Sequence, residues 1–410
     1  MGGFSRPGRA PSDNRRDRRA RRGWRRAARA GVVALLVGLL ALLTITLPAN
    51  LAALAGGAAS GSPWRPAIGL LSHLLPSGSS SLTPHRAGSG SADAGSGRVV
   101  VVPVSQIINH PIVSTGCGRR SPVAPGASGD FSLISGGMRR YYLVHVPLGY
   151  IPSRAYALAL SFHGNGSDMT QQASLTHFST LADHLGFLVI YPQGSLGPNH
   201  RLGWSSGGPT HPTRNDTLFV SDLLTQAQAT FCIDPARIYA TGFSNGGGMT
   251  AVLACQLDGR IAAFASVSGS YFPLRGGCSP ARPAPLLEIH GTGDHTVPYL
   301  GRVSIGLLAT PDWLEQWARR DGCAATPQSH MLAPNLTEET WRGCKNGVVV
   351  EHLRVTDGGH VWPQDTLAPH GLYTPQAPGA PQLTQFIWSF VSRYQLSAPP
   401  QPAPTNVRAQ

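Results

Sequence analysis

Three short stretches of the 410-residue chain carry side chains that together could perform nucleophilic catalysis. "GFSNG" places Ser244 between Gly242 and Gly246, directly after the apolar run "RIYATGF" and before "NGGGMTAVLAC", which reads as a helix. A serine hydroxyl is a weak nucleophile until a histidine takes its proton, and the histidine needs a carboxylate to fix its tautomer and stabilise its charged form. "TGDHTVPY" supplies Asp294 and "TDGGHVWP" supplies His360, in the order Ser, Asp, His and each after a further apolar run. Asp312 and Asp357 are alternative carboxylates. His295 adjoins Asp294 in the chain, where neighbouring side chains rarely face each other, and is read as lining the site or capping its loop.

Attack on a carbonyl creates an oxyanion that needs backbone N–H donors, each typically worth about a hundred- to a thousandfold in rate. The amide of Asn245, next to the nucleophile, is one candidate. "LSFHGNGSD" offers the other at Asn165, although the same stretch also reads as a turn leading to a helix capped by Ser167 or Asp168. Trp204 and Trp362 are candidates for an aromatic wall around substrate, and both fit equally well as core.

These residues need a scaffold, and the chain between them alternates short apolar runs with helical patterns. Residues 141–147, 157–164, 186–192, 237–243, 261–269, 285–291 and 348–355 read as strands; 169–184, 217–230, 246–257 and 311–320 read as helices. Near the end, Leu383, Phe386, Ile387, Phe390, Val391 and Tyr394 recur at helical spacing. Such alternation implies an α/β fold with a mostly parallel central sheet, helices on both faces and a single catalytic domain. Ligands of such sheets bind beyond the carboxyl ends of the strands, where Ser244, Asp294 and His360 are all expected.

Charge is unevenly placed. Residues 1–30 hold eleven Arg against Asp13 and Asp17, a surplus of +9 within the formal +13, which leaves +4 for everything else. A nucleic-acid partner, which would need a basic face on the folded domain, is therefore not expected. Residues 31–56 follow as an apolar signal peptide or membrane anchor, with Ala53 and Ala55 before Gly56 as a candidate cleavage site. Either reading leaves the arginines cytoplasmic and exports the rest. Residues 57–98 read as a flexible Gly/Ser/Pro linker, 99–396 as the catalytic domain and 397–410 as a disordered Pro-rich tail.

All six cysteines lie in the exported part, without metal-type spacing, so three disulfides are expected and no metal. If the helix after Ser244 runs back beside the strand before it, Cys255 at its lower end comes level with Cys232. That pairs Cys232 with Cys255; Cys323 and Cys344, which close a modest loop, pair next, and Cys117 with Cys278 follows by elimination.

Taken together, "SFHGNGSD", "RIYATGFSNGGGMT", "HGTGDHTVPY" and "GGHVWP" resemble the exported polyhydroxybutyrate depolymerase and feruloyl esterase group of α/β hydrolases, from about Cys117 to Tyr394. The resemblance implies an α/β-hydrolase fold and a serine carboxylesterase needing no cofactor. In it Ser244 attacks, His360 is base and then acid, Asp294 orients His360, and Asn165 and Asn245 supply the oxyanion amides. It further implies a polymeric or oligomeric ester substrate, and the domain is read as a monomer, tethered to the membrane if the leader stays uncleaved. Many relatives carry an acidic pair where this chain has Asn215 beside Asp216, and no added polymer-binding module is visible. A peptidase or acyltransferase would use the same triad, and an inactive tethered binding protein would lack one of its members.

Overall fold

The computed structural model describes residues 106–363 and 382–397. The leader, the apolar segment, the linker and the tail after residue 397 lie outside the described residues. No helix among the described residues is long and apolar enough to cross a membrane.

The strands, in chain order, are β1 (Ala127–Ser135), β2 (Met138–Val146), β3 (Tyr156–Phe162), β4 (Leu188–Pro192), β5 (Ser195–Leu196), β6 (Leu202–Gly203), β7 (Ile233–Phe243), β8 (Ala263–Val267), β9 (Leu286–Gly291), β10 (Gln328–Ala333), β11 (Leu336–Trp341) and β12 (Val350–Val355). All but β5 and β6 join one sheet, ordered β1-β2-β4-β3-β7-β8-β9-β12-β11-β10. From β4 to β12 every neighbouring pair is parallel, and an antiparallel hairpin finishes each edge. Every residue of β3, β4, β8 and β9 is buried, which is why these strands read as unbroken apolar runs rather than alternating ones.

Helices α1 (Met169–Thr176), α2 (Phe178–Leu185), α3 (Asp216–Thr230), α4 (Asn245–Gln256), α5 (Thr310–Asp321) and α6 (Gln382–Val391) complete the fold. One core cluster packs α3, α4 and α5 on one face of the sheet, and a second packs α2 and α6 on the other. Leu383, Ile387, Phe390 and Val391 of the expected terminal stripe are buried in the second cluster. The expected α/β-hydrolase arrangement is thus present, with the elbow, the acidic loop and the histidine loop following β7, β9 and β12.

Two expectations are corrected. The helix expected over 169–184 is two helices, because His177 takes a left-handed conformation (φ 52°) while Thr384 Oγ1 donates to the Thr176 carbonyl at 2.6 Å. The disulfides join Cys117 to Cys232, Cys255 to Cys278 and Cys323 to Cys344. Cys323–Cys344 is as expected, but Cys232–Cys255 and Cys117–Cys278 are not formed. Matching the rise of strand and helix fixes only the height of Cys255, and lateral position decides the bond. The segment before β1 lies against the entry to β7, where Gly116 N–H donates to the Gln228 carbonyl (2.9 Å) and Ile233 N–H to Ser114 Oγ (3.1 Å). That contact seats Cys117 on Cys232 and leaves Cys255 for the loop after β8.

In the chain-entropy model the longer loop stabilises more: sequence separations of 115 and 23 residues correspond to about 5 and about 3 kcal/mol. Urea unfolding should therefore show the Cys117→Ser/Cys232→Ser pair losing more stability than Cys255→Ser/Cys278→Ser, and equal losses would contradict the loop-length ordering.

Candidate active site

Ser244 stands between the end of β7 and the start of α4 with φ 59° and ψ −120°, outside the conformations an L-residue adopts comfortably. Its backbone is held from both sides. Ser244 N–H donates to the Val267 carbonyl (2.8 Å), and its carbonyl accepts from Gly248 N–H (3.0 Å) and Ser270 N–H (3.2 Å). The turn is so tight that a β-carbon at Gly242 would collide with the Gly246 carbonyl oxygen, and one at Gly246 with the Phe162 carbonyl oxygen. Only glycine fits at either position.

The acidic loop after β9 buries Asp294 completely. Its Oδ1 accepts from the amides of Thr296 and Val297, both at 2.8 Å, which fixes the plane of the carboxylate. Oδ2 then accepts from His360 Nδ1 at 2.6 Å. Burial would raise the Asp294 pKa, but hydrogen bonds from His290, His360 and the Val297 amide overcome it and hold the group well below the usual carboxylate range. The His360 ring lies over Phe243, the residue before Ser244, with centroids 4.8 Å apart. The structure therefore closes the Asp294–His360 pair and brings it to the elbow, while no hydrogen bond joins Ser244 Oγ to His360 in this arrangement.

The loop after β3 is pressed against the nucleophile, since a β-carbon at Gly164 would meet Ser244 Cβ at 3.3 Å. Its scaffold is polar and buried. His163 is held neutral, burial lowering its pKa to about 4; its Nε2 accepts from Gly194 N–H at 2.9 Å, leaving Nδ1 to donate to the Gly164 carbonyl at 2.8 Å. Trp204 Nε1 donates to the His163 carbonyl (2.9 Å). The Asn245 side chain clamps the same region: Oδ1 accepts from Trp204 N–H (2.6 Å), and Nδ2 donates to the Trp204 carbonyl (3.1 Å) and Ser206 Oγ (2.9 Å). Arg140 reaches Asp216 at 2.7 Å, and Asp216 Oδ2 accepts from Ser205 N–H, so the residue beside Asn215 anchors the 193–214 segment rather than facing substrate.

Neither tryptophan forms an aromatic wall. Trp204 is fully buried, edge-on to Phe162 and stacked over Phe219. Trp362 is buried against Phe178 and Phe243, its Nε1 donating to Thr384 Oγ1. Apolar surroundings on both faces made core the better outcome for each ring. His295 is exposed and makes none of the site's hydrogen bonds. A cavity of about 210 Å³ beside α4, lined by Ser206, Gly248, Ser270, Tyr271, Trp313 and Trp317 among others, contains none of Ser244, Asp294 and His360.

Sequence reading missed the Asn245 side chain, the Arg140–Asp216 pair and the buried polar pair Glu288 and His290. The last had a signal: two ionisable residues two apart inside the apolar run "PLLEIHG" share one face of a strand.

A strained serine at a strand-to-helix turn, served by an Asp–His pair from two later strand ends, defines the active-site class of α/β hydrolases. Comparison with known proteins gives the group. The family model described as Esterase PHB depolymerase matches residues 141–278, which include the elbow and the Asn165 loop. The bifunctional acetylxylan esterase/xylanase XynS20E of Neocallimastix patriciarum is 33% identical over 262 residues, 62% of this chain and 33% of that protein. Feruloyl esterase B of Piromyces equi is 32% identical over 234 residues, 54% of this chain and 42% of that protein. A probable feruloyl esterase C of Aspergillus clavatus is 28% identical over 277 residues, 65% of this chain and 88% of that protein. The chain thus spans well under half the length of the first two relatives. In sequence it is similar to the polyhydroxybutyrate depolymerase and feruloyl esterase group, as its motifs indicated.

Replacing Asn245 by Ala keeps the backbone amide but strands the buried Trp204 N–H, a loss of about 1–3 kcal/mol. The urea midpoint of Asn245→Ala should fall accordingly; an unchanged midpoint would show that the clamp contributes nothing.

Proposed function

We propose that this chain is an exported serine carboxylic-ester hydrolase that works through an acyl-enzyme on polymer-derived or plant-wall esters. The observation that carries the reading is the strained Ser244 backbone facing a His360–Asp294 pair bonded at 2.6 Å. His360 takes the Ser244 proton as Oγ attacks the ester carbonyl, and the charged imidazole is stabilised by Asp294. The amides of Asn165 and Asn245 receive the oxyanion, the second at the amino end of α4, where the helix dipole favours negative charge. His360 then protonates the leaving alcohol, and a water activated by the same histidine releases the acid. The names of the relatives, which act on feruloyl and acetylxylan esters, support the substrate class. Three disulfides support export from the cytoplasm. The 99–396 catalytic domain, its leader and linker, its monomeric state and its tether are part of the same proposal, as is a role for His295 beside the substrate.

Hydrolysis of methyl ferulate, p-nitrophenyl acetate, p-nitrophenyl butyrate and soluble hydroxybutyrate oligomers tests it. At least one should turn over, Ser244→Ala should lose that turnover by several orders of magnitude in kcat, and Asp294→Asn should lose about 10⁴-fold with the histidine left in the wrong tautomer. A folded protein that cleaves none of them, or a Ser244→Ala variant as fast as the parent, would overturn the reading.

A further inference from the structure

A second buried imidazole, not used in the proposed reaction, approaches the same Asp294 oxygen as His360. His290 is completely buried on β9. Its Nδ1 faces Glu288 Oε1 at 3.0 Å; its Nε2 faces the Val297 carbonyl at 2.9 Å and Asp294 Oδ2 at 3.3 Å. A neutral imidazole can donate from only one nitrogen. Here both nitrogens face oxygens that only accept, a carbonyl and an ionised carboxylate on one side and a second carboxylate on the other. Thr310 Oγ1, 3.2 Å from Nδ1, can accept as readily as donate and does not remove the demand.

Glu288 is itself surrounded by donors. Besides His290 it receives the Tyr271 hydroxyl at 3.1 Å on Oε1, and His352 Nδ1 lies 2.7 Å from Oε2 without hydrogen-bond geometry, bonding instead to the Glu288 backbone carbonyl at 3.2 Å. The other His352 nitrogen meets the Tyr299 hydroxyl at 3.0 Å. Two buried carboxylates with no cation between them would repel one another and hold any nearby proton more firmly.

We propose that His290 is the positioning residue of the triad: a permanently charged imidazolium, balanced by Glu288, that keeps Asp294 ionised and turned toward His360. With Glu288 and Asp294 negative and His290 positive, the buried group carries one net negative charge. That charge is matched when His360 becomes an imidazolium during attack. Burial alone would lower the His290 pKa, but the Glu288 charge and the hydrogen bonds to Asp294, Glu288 and the Val297 carbonyl raise it to about 10. The titratable groups facing this ring, directly or through Glu288, are Glu288, Asp294, His352, Tyr271 and Tyr299, the last with its ring centroid 5.7 Å away. The charge state of His290 is independent of the ester-hydrolase reading; its catalytic consequence rests on that reading.

Two measurements separate these. In the protein labelled with ¹⁵N-histidine, NMR at pH 8.5, about two units above the ordinary histidine pKa, should show one imidazolium with both ring nitrogens protonated. It should persist in His360→Gln and vanish in His290→Gln. No imidazolium at that pH, or one lost with His360 instead, overturns the proposal whether or not any ester is cleaved. For the catalytic half, His290→Gln should lower kcat about 10- to 1000-fold with KM within a few-fold of the parent. It should also move the acidic limb of the kcat/KM profile about one unit to higher pH, because an unneutralised carboxylate pair holds the catalytic proton more firmly. A variant with the parent's kcat and pH profile would refute the positioning role. If His290→Gln fails to fold, the parent and His360→Gln spectra decide the charge state alone.

Discussion

The backbone of Ser244 is the constraint on which the rest of this structure depends. A non-glycine residue at φ 59° and ψ −120° costs free energy on the order of 1–3 kcal/mol and persists only where its surroundings over-determine it. The surroundings here are β7 and α4 packed so closely that Gly242 and Gly246 admit no side chain, with β8 and the loop beyond it bonded to the Ser244 N–H and carbonyl. That closeness puts the Asn245 amide at the head of a helix. It also brings the Gly164 loop against Ser244 Cβ. Loosening any of these contacts would let the turn relax toward an ordinary helix cap.

Around this strained point the protein uses buried polar groups rather than apolar ones to fix the loops. Asn245 satisfies three partners in the 204–206 segment, His163 bridges its own loop to Gly194, and Arg140 ties β2 to Asp216. Hydrogen bonds have preferred distances and angles, so they hold a loop in one geometry where a greasy contact would allow sliding. The charge network behind Asp294 extends the same device into the sheet. A carboxylate that receives two backbone amides on one oxygen and two imidazoles on the other has little freedom to rotate.

Much of this was legible in the residues. The parallel strands announce themselves because burial on both faces makes them continuous apolar runs, and the elbow, acidic loop and histidine loop follow from strand ends read in order. The edge hairpins were harder: β1 alternates exposed and buried positions in "ASGDFSLIS", and β10 is largely exposed in "QSHMLA". Two of the three disulfide pairings failed for a geometric reason, since pattern gives position along an element but not sideways across a layer. Trp204 and Trp362 were ambiguous because an aromatic residue near a site is chemically the same in core or wall, and only the packing around Phe162, Phe219 and Phe178 settles them. The Glu288 and His290 spacing was a signal, but the role of His290 depends on its neighbours from other elements, Asp294, Tyr271 and His352, which the sequence does not place.

Covalent trapping tests the nucleophile most directly. The protein would be treated with a small organophosphate that phosphorylates activated serines, and the adduct located by peptide mass spectrometry, with His360→Gln and Ser244→Ala alongside. One equivalent of label on the peptide containing Ser244, formed much more slowly in His360→Gln and absent from Ser244→Ala, is the expected result. Stoichiometric label on another residue, or no label on a folded protein, would contradict the assignment of Ser244 as the group that the fold strains into place.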